Sequence, residues 1–244
     1  MLMARHHRTN DVFGEKGRIG KLSLIRELVF GAQDGLMVPL GVISTVAGAF
    51  NDNHIVLIAG ISEALAGAFS MATGAYLSSK AEKQVYDTEI EKETKHIIRH
   101  PHSEKEEMKL ILKTEGMSTA DSQRVADILA RNSNAFTKIM INLELGIDPD
   151  PTGTPAGDAL YMGASYLISA TIPLFPYFFI SGIHAIISSI ALTLIALFGI
   201  GIAKAKFTLL PYLRSGLEVL LIGAGAGLGG YFLGTILPNI LGIK

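Results

Sequence analysis

Five stretches of this chain are apolar over the length that a bilayer demands, and they are separated from most of the charge. They run over about 28–50, 54–78, 159–181, 183–203 and 216–242. A helix needs ~20 mostly apolar residues to cross a hydrocarbon core. In lipid every backbone N–H and C=O must be satisfied within the segment, so such runs are restricted to helices. "NDNH" joins the first two runs and "SGIH" joins the third and fourth, both as tight hairpins. The predicted class is therefore all-α, an integral membrane protein with five transmembrane helices and one polar helical domain between helices 2 and 3. The first run is too long for a signal h-region and lacks a cleavage-like end, so it reads as a retained span.

The positive-inside rule orients this arrangement. The leader, 1–27, carries Arg5, Arg8, Lys16, Arg18, Lys21 and Arg26. The block 80–155 holds eleven of the 21 Lys and Arg, and the last loop holds Lys204, Lys206 and Arg214. The two hairpins hold none. The leader, the block 80–155 and the last loop are thus expected in the cytoplasm, with the C-terminus outside. Expected divisions are 1–27 leader, 28–79 helices 1 and 2, 80–155 polar domain, and 156–244 helices 3 to 5.

Within the polar block, "SSKAEKQVYDTEIEKETKHIIRH" continues the second span as a charged helix with no breaker before Pro101. Ser103 with Glu106 predicts a capping box for the next helix. Gly116 is placed to end it. Ser118 with Asp121 predicts a third start, "NSN" at 132–134 an interruption, and Gly146 a final stop.

Several function classes drop out. A net charge of −1 and a mixed-sign central block give no basic face, so no nucleic-acid partner is expected. Cys is absent, which removes disulfides, thiolate metal sites and a Cys nucleophile. "GAGLGG" at 225–230 fits G-x-G-x-x-G but lies inside the fifth apolar run, with no strand before it. Its glycines, with Gly223/Gly227 and Gly230/Gly234, read as close helix packing. "DPDPTG" at 148–153 resembles the start of a calcium loop, but the twelfth position is Ala159 where a Glu is needed. An intramembrane aspartyl protease would use two Asp, one in a G-x-G-D setting, and "GAQDG" is not that.

What remains is a set of acids in costly places. Asp34 lies inside the first span and Glu63 inside the second, at ~2.5–3.5 kcal/mol each on insertion scales. Each reads either as a functional site or as a satisfied polar group that helps helices pack. Glu63, Gly67, Met71 and Ala75 form one i, i+4 row, beside Gly60, Ala64, Ala68 and Ala72. Small residues admit another backbone or leave room for an ion. Met71 is either filler or a soft ligand ~12 Å along the axis from Glu63. Pro39, just over one turn beyond Asp34, frees a helix carbonyl, which suits a polar cavity.

In the polar block, Glu89, Glu93 and His96 share a helix face at i, i+4, i+7. Glu104/Glu107 and Met140/Glu144 make pairs on later helices. Carboxylates with one imidazole and one thioether suit Fe(II), Mn(II), Co(II) or Zn(II) better than Ca or Mg. Spacing alone favours solvated helix faces, with Lys92, Lys95 and Lys105 as partners.

Four motifs resolve this choice by likeness. "DGLMVPLGVISTVAGA", "SEALAGAFSMATGAYLSSKAEK", "LELGID" and "IPLFPY" resemble the vacuolar iron transporter family, from about residue 22 to the C-terminus. The resemblance implies a homodimer in a lipid bilayer that exchanges Fe(II) for protons along a pathway between subunits. It implies a cytoplasmic metal-binding domain between helices 2 and 3, and no permanent cofactor. It places Asp34, Glu63 and Met71 in the membrane pathway, and Glu93, Glu104, Glu107, Met140 and Glu144 as cytoplasmic ligands. Glu89 and His96 join the candidates on spacing. His96 stands where a Glu is expected and Ile141 where a second Met is often seen, which implies fewer ions or another metal preference. The membrane would be the plasma membrane in a prokaryote and the vacuolar membrane in a eukaryote. The expected role is export of cytoplasmic Fe(II) or Mn(II) by proton antiport rather than enzymatic catalysis. A membrane-anchored metal buffer or sensor is the alternative.

Overall fold

The computed structural model describes residues 3–50, 52–147, 153–208 and 211–241. These form eight α-helices and one 3-10 turn, with no strand among the described residues. The helices are α1 (Met3–Ala49), α2 (Asn53–Arg99), α3 (Pro101–Thr114), α4 (Thr119–Leu129), α5 (Ser133–Leu145), α6 (Pro155–Leu174), α7 (Ile183–Thr208) and α8 (Tyr212–Leu241). Five segments are long and apolar enough to cross a membrane: Leu24–Ala49, Asn53–Arg99, Pro155–Phe178, Ile183–Ala205 and Tyr212–Ile236. The chain divides into two compact units, one of 1–77 with 153–244 and one of 78–152.

In the first unit, α1 packs chiefly on α6 and α8, and α8 on α7. Small residues set how closely they approach. A Cβ on Gly230 would lie 2.5 Å from the Gly41 carbonyl oxygen, and one on Gly234 would collide with the backbone of Thr45. A Cβ on Gly201 would stand 2.6 Å from the Ser215 carbonyl oxygen. The glycine rows at 223/227 and 230/234 are thus contact surfaces, as expected of G-x-x-x-G. Gly225 and Gly229 meet nothing.

Hydroxyls hold these crossings where water is absent. Thr45 Oγ1 donates to the carbonyls of Gly41 (2.8 Å) and Gly230 (2.9 Å). Ser215 Oγ donates to Gly201 O at 2.8 Å. Pro173 and Pro176 close α6 into the 3-10 turn Phe175–Phe178, and Ser189 Oγ of α7 donates to Pro173 O at 2.6 Å. Carbonyls at such breaks need a partner within the protein. At the first hairpin, Asn53 Nδ2 donates to Tyr177 O (2.9 Å) and Ile180 O (2.6 Å).

The second unit is a small bundle. Ile97 at the end of α2 packs with Met108, Ala126, Phe136 and Met140 from α3, α4 and α5. Most expected punctuation is present. The Ser118 side chain accepts from Asp121 N, and Asn132 Oδ1 accepts from Ala135 N, both at 3.1 Å. Gly116 and Gly146 follow their helices at φ +97° and +65°, left-handed values that glycine adopts without a Cβ penalty. The Ser103–Glu106 capping box is corrected. α3 begins at Pro101, its flanking residue His100 makes no side-chain cap, and Ser103 lies inside the first turn. Proline has no N–H to satisfy and its φ is already helical, so it starts the helix three residues earlier. The expected linker at 148–152 lies outside the described residues; beyond it, Thr154 Oγ1 accepts from Gly157 N at 3.2 Å to start α6.

Candidate metal centre

Acids gather in both units. In the second, three helices each contribute one. Glu93 comes from α2, Glu104 from the first turns of α3 and Glu144 from the last turn of α5. One carboxylate oxygen of each lies within 4.8 Å of the others. The Glu104 side chain is 1% exposed, Glu93 is half-buried and Glu144 is exposed. His96, one turn after Glu93, places Nδ1 2.5 Å from Glu104 Oε1. Apart from His96 and the neighbouring carboxyls, with which Glu93 shares hydrogen bonds, no described donor reaches the Glu104 oxygens or Glu93 Oε1.

Such an arrangement is unfavourable when empty of cations. Buried carboxylates side by side repel, and desolvation penalises each charge. Burial, then the charges of Glu144 and Glu104, push the Glu93 carboxyl up to about 7. Burial, then Glu107 and Glu104, also raise Glu144. Nearby lysines do not relieve this: Lys92 pairs with Glu89 (2.7 Å), Lys95 with Glu91 (2.5 Å), Lys109 with Glu106 (2.6 Å) and Lys105 with Asp127. A divalent cation would be stabilised by the charge and by the vacant lone pairs.

In the first unit, Glu63 of α2 is half-buried and accepts from Tyr166 Oη of α6 at 2.5 Å. Its Oε2 is buried without a hydrogen-bond partner. Tyr166 is 2% exposed and is wedged between helices. Its ring lies against Gly67, where a Cβ would stand 2.6 Å from Cζ. Its backbone lies against Gly35, where a Cβ would stand 2.8 Å from Cα. Asp34 is the residue before Gly35 and is half-buried. Met71, two turns along α2 from Glu63, is half-buried against the core formed by Ala64, Ala68 and Tyr166.

A family model described as the VIT family matches residues 25–235. The chain belongs to the VIT family. Its curated relatives include "Vacuolar iron transporter 1" of Arabidopsis thaliana, 35% identical over 88% of this chain and 87% of that protein. "Vacuolar iron transporter 1" of Eucalyptus grandis is 36% identical over 82% and 81%. "Protein CCC1" of Saccharomyces cerevisiae is 28% identical over 86% and 67%.

In this VIT-family chain the expected residues are not all brought to one place. Glu93, Glu104 and Glu144 converge; His96 contacts Glu104 at their edge and stands outside that group. Glu107 lies close enough for its charge to raise Glu144 but is exposed. Met140 is fully buried in the apolar core of the bundle, one turn before Glu144. Glu89 stands outside the group, tied to Lys92. Tyr166 was not among the expected site residues. Its only sequence signal is a hydroxyl inside an apolar run, which many tyrosines share.

Proposed function

We propose that this chain is a transition-metal transporter that exchanges Fe(II) or Mn(II) for protons. Glu93, Glu104 and Glu144, with His96, Glu107 and Met140 beside them, gather the ion on the cytoplasmic face. Met71, Glu63 and Asp34 then pass it through the membrane, between the two subunits of a homodimer. The N-terminus and the polar unit face the cytoplasm and the C-terminus faces away, following the distribution of Lys and Arg.

The observation that carries this reading is the group of three converging carboxylates around a fully buried Glu104. A solvated helix face would leave those oxygens to water. Relatives named as iron transporters over most of the chain supply the substrate class. Coupling follows from chemistry: a carboxylate binds either a proton or the ion, so the same groups carry opposing fluxes.

The test is metal uptake by purified protein in proteoliposomes, with and without a pH gradient. Uptake should depend on the gradient and fall at least ~10-fold in Asp34→Ala and Glu63→Ala, as expected for essential intramembrane acids. Unchanged uptake in both variants sinks the pathway. Metal binding with no flux in the wild type would instead identify a buffer or sensor.

A further inference from the structure

We propose that His96 is a nitrogen donor to the ion held by Glu93, Glu104 and Glu144, so that this site takes Zn(II) and Co(II) in preference to Mn(II). This rests on the reading of that group as a cargo site and adds its selectivity.

Three observations support it. Glu93 and His96 stand in a Glu-x-x-His spacing on α2, one turn apart on the same face. In helical bundles that spacing presents a carboxylate and an imidazole to one metal. The imidazole is turned inward, with Nδ1 2.5 Å from Glu104 Oε1, although the side chain as a whole is 56% exposed. A histidine serving only as a surface residue would not direct its nitrogen to the most buried acid of the bundle. Glu104, for its part, is 1% exposed and, apart from the neighbouring carboxyls, reached by no other described donor. The ring also lies beside that of His100, with centroids 5.0 Å apart.

Donor type then decides selectivity. Oxygen-only sites suit Mg, Ca and Mn, whereas imidazole favours Fe, Co, Ni and Zn. The Irving–Williams order already ranks Mn(II) lowest among the first-row dications, and a nitrogen donor widens the gap. His96 therefore trades a negative charge, which all dications value, for a softer neutral donor, which only the later ones value fully.

The experiment uses the full-length protein in detergent, stripped of metal. Affinities for Zn(II), Co(II) and Mn(II) are measured by competition in the wild type, His96→Glu, His96→Ala and Glu104→Gln. His96→Glu keeps a donor at the same exposed position, so binding persists and the ratio stays measurable. The Zn(II)-to-Mn(II) affinity ratio should fall about tenfold or more in His96→Glu, the scale on which ligand-shell changes alter metal affinity. X-ray absorption at the zinc edge should show imidazole scattering that weakens in His96→Glu and His96→Ala. An unchanged ratio with unchanged scattering overturns the role of His96 while leaving the carboxylate site standing. Equal binding by the wild type and Glu104→Gln overturns the site itself, and this proposal with it.

Discussion

Glu63 and Glu104 are both acids that folding has taken partly or wholly out of water, yet they are stabilised in opposite ways. Glu63, in the five-span unit, has a hydroxyl partner, Tyr166 Oη at 2.5 Å. Glu104, in the polar unit, is more deeply buried and is faced by Glu93, Glu144 and an imidazole. The first carboxylate is supported by a neutral donor that can stay in place whether the acid is charged or protonated. The second faces two acids that repel its charge and one imidazole that only partly offsets them. One carboxylate is thus tolerable as it stands, and the other would be strongly improved by a bound cation.

Glu104→Gln attacks that contrast with the largest expected effect. Ion binding in the polar unit should weaken about a hundredfold, at the upper end for loss of a group that shapes a metal site. The metal-free protein should become more stable, by ~1–3 kcal/mol, because a neutral amide replaces a buried carboxylate that faces two other acids. Calorimetric titration and metal-free thermal unfolding read the two effects, and a loss of metal-free stability would refute the description of the carboxylate group as unfavourable without a cation.

Acidity comes next. The ordinary value for Glu93 is 4.5, and in the folded protein it is pushed up to about 7. Between those values the folded state keeps a proton that the unfolded state has released. Metal-free stability should therefore fall as pH rises from about 4.5 to about 7, and flatten above. Ion affinity should run the other way, rising up to about tenfold per pH unit until about 7, since the ion displaces that proton. Titrations at pH values across this range check both signs.

Tyr166→Phe probes the other half of the comparison with a smaller effect. Removing one hydrogen bond between membrane helices should cost about 1 kcal/mol. That corresponds to ~2–4 °C in the unfolding midpoint for a chain of this size. Ion binding by the polar unit should not change, whereas transport should slow because Glu63 is less well positioned. Smallest of all, Glu89→Gln should change ion affinity less than about twofold, because Glu89 is engaged with Lys92 at the exposed edge of a helix. A large loss in Glu89→Gln would enlarge the site beyond the three carboxylates.

The sequence was informative where a signal is local. The run from α2 into charge without a breaker, the Ser118 and Asn132 caps and the stops at Gly116 and Gly146 depend on neighbours within four residues. Local rules can also compete, and at α3 Pro101 prevailed over the Ser103–Glu106 pattern. The site was legible in part. Helical spacing puts Glu89, Glu93 and His96 on one face equally well, because a face is a property of one helix. Which turn of that face meets α3 and α5 is decided by the packing of Ile97 against Met108, Phe136 and Met140. Tyr166 was hidden for the same reason. Its importance comes from touching α1 at Gly35 and α2 at Gly67 and Glu63, contacts more than ninety residues away along the chain.

The glycine contacts between α1 and α8 have a mechanical consequence. Where Gly230 meets Gly41 and Gly234 meets Thr45, backbone lies on backbone, with no side chain between to change rotamer. Such a joint has no slack: it can hold or separate, but it cannot flex by small steps. The α1–α6 joint at Gly35 and Tyr166 is of the same kind, whereas α2 meets its neighbours through movable side chains, Leu174 against Gly60 and the Tyr166 ring against Gly67. Any rearrangement around Glu63 should therefore leave α1, α6 and α8 moving as one stiff piece and take up its strain at α2.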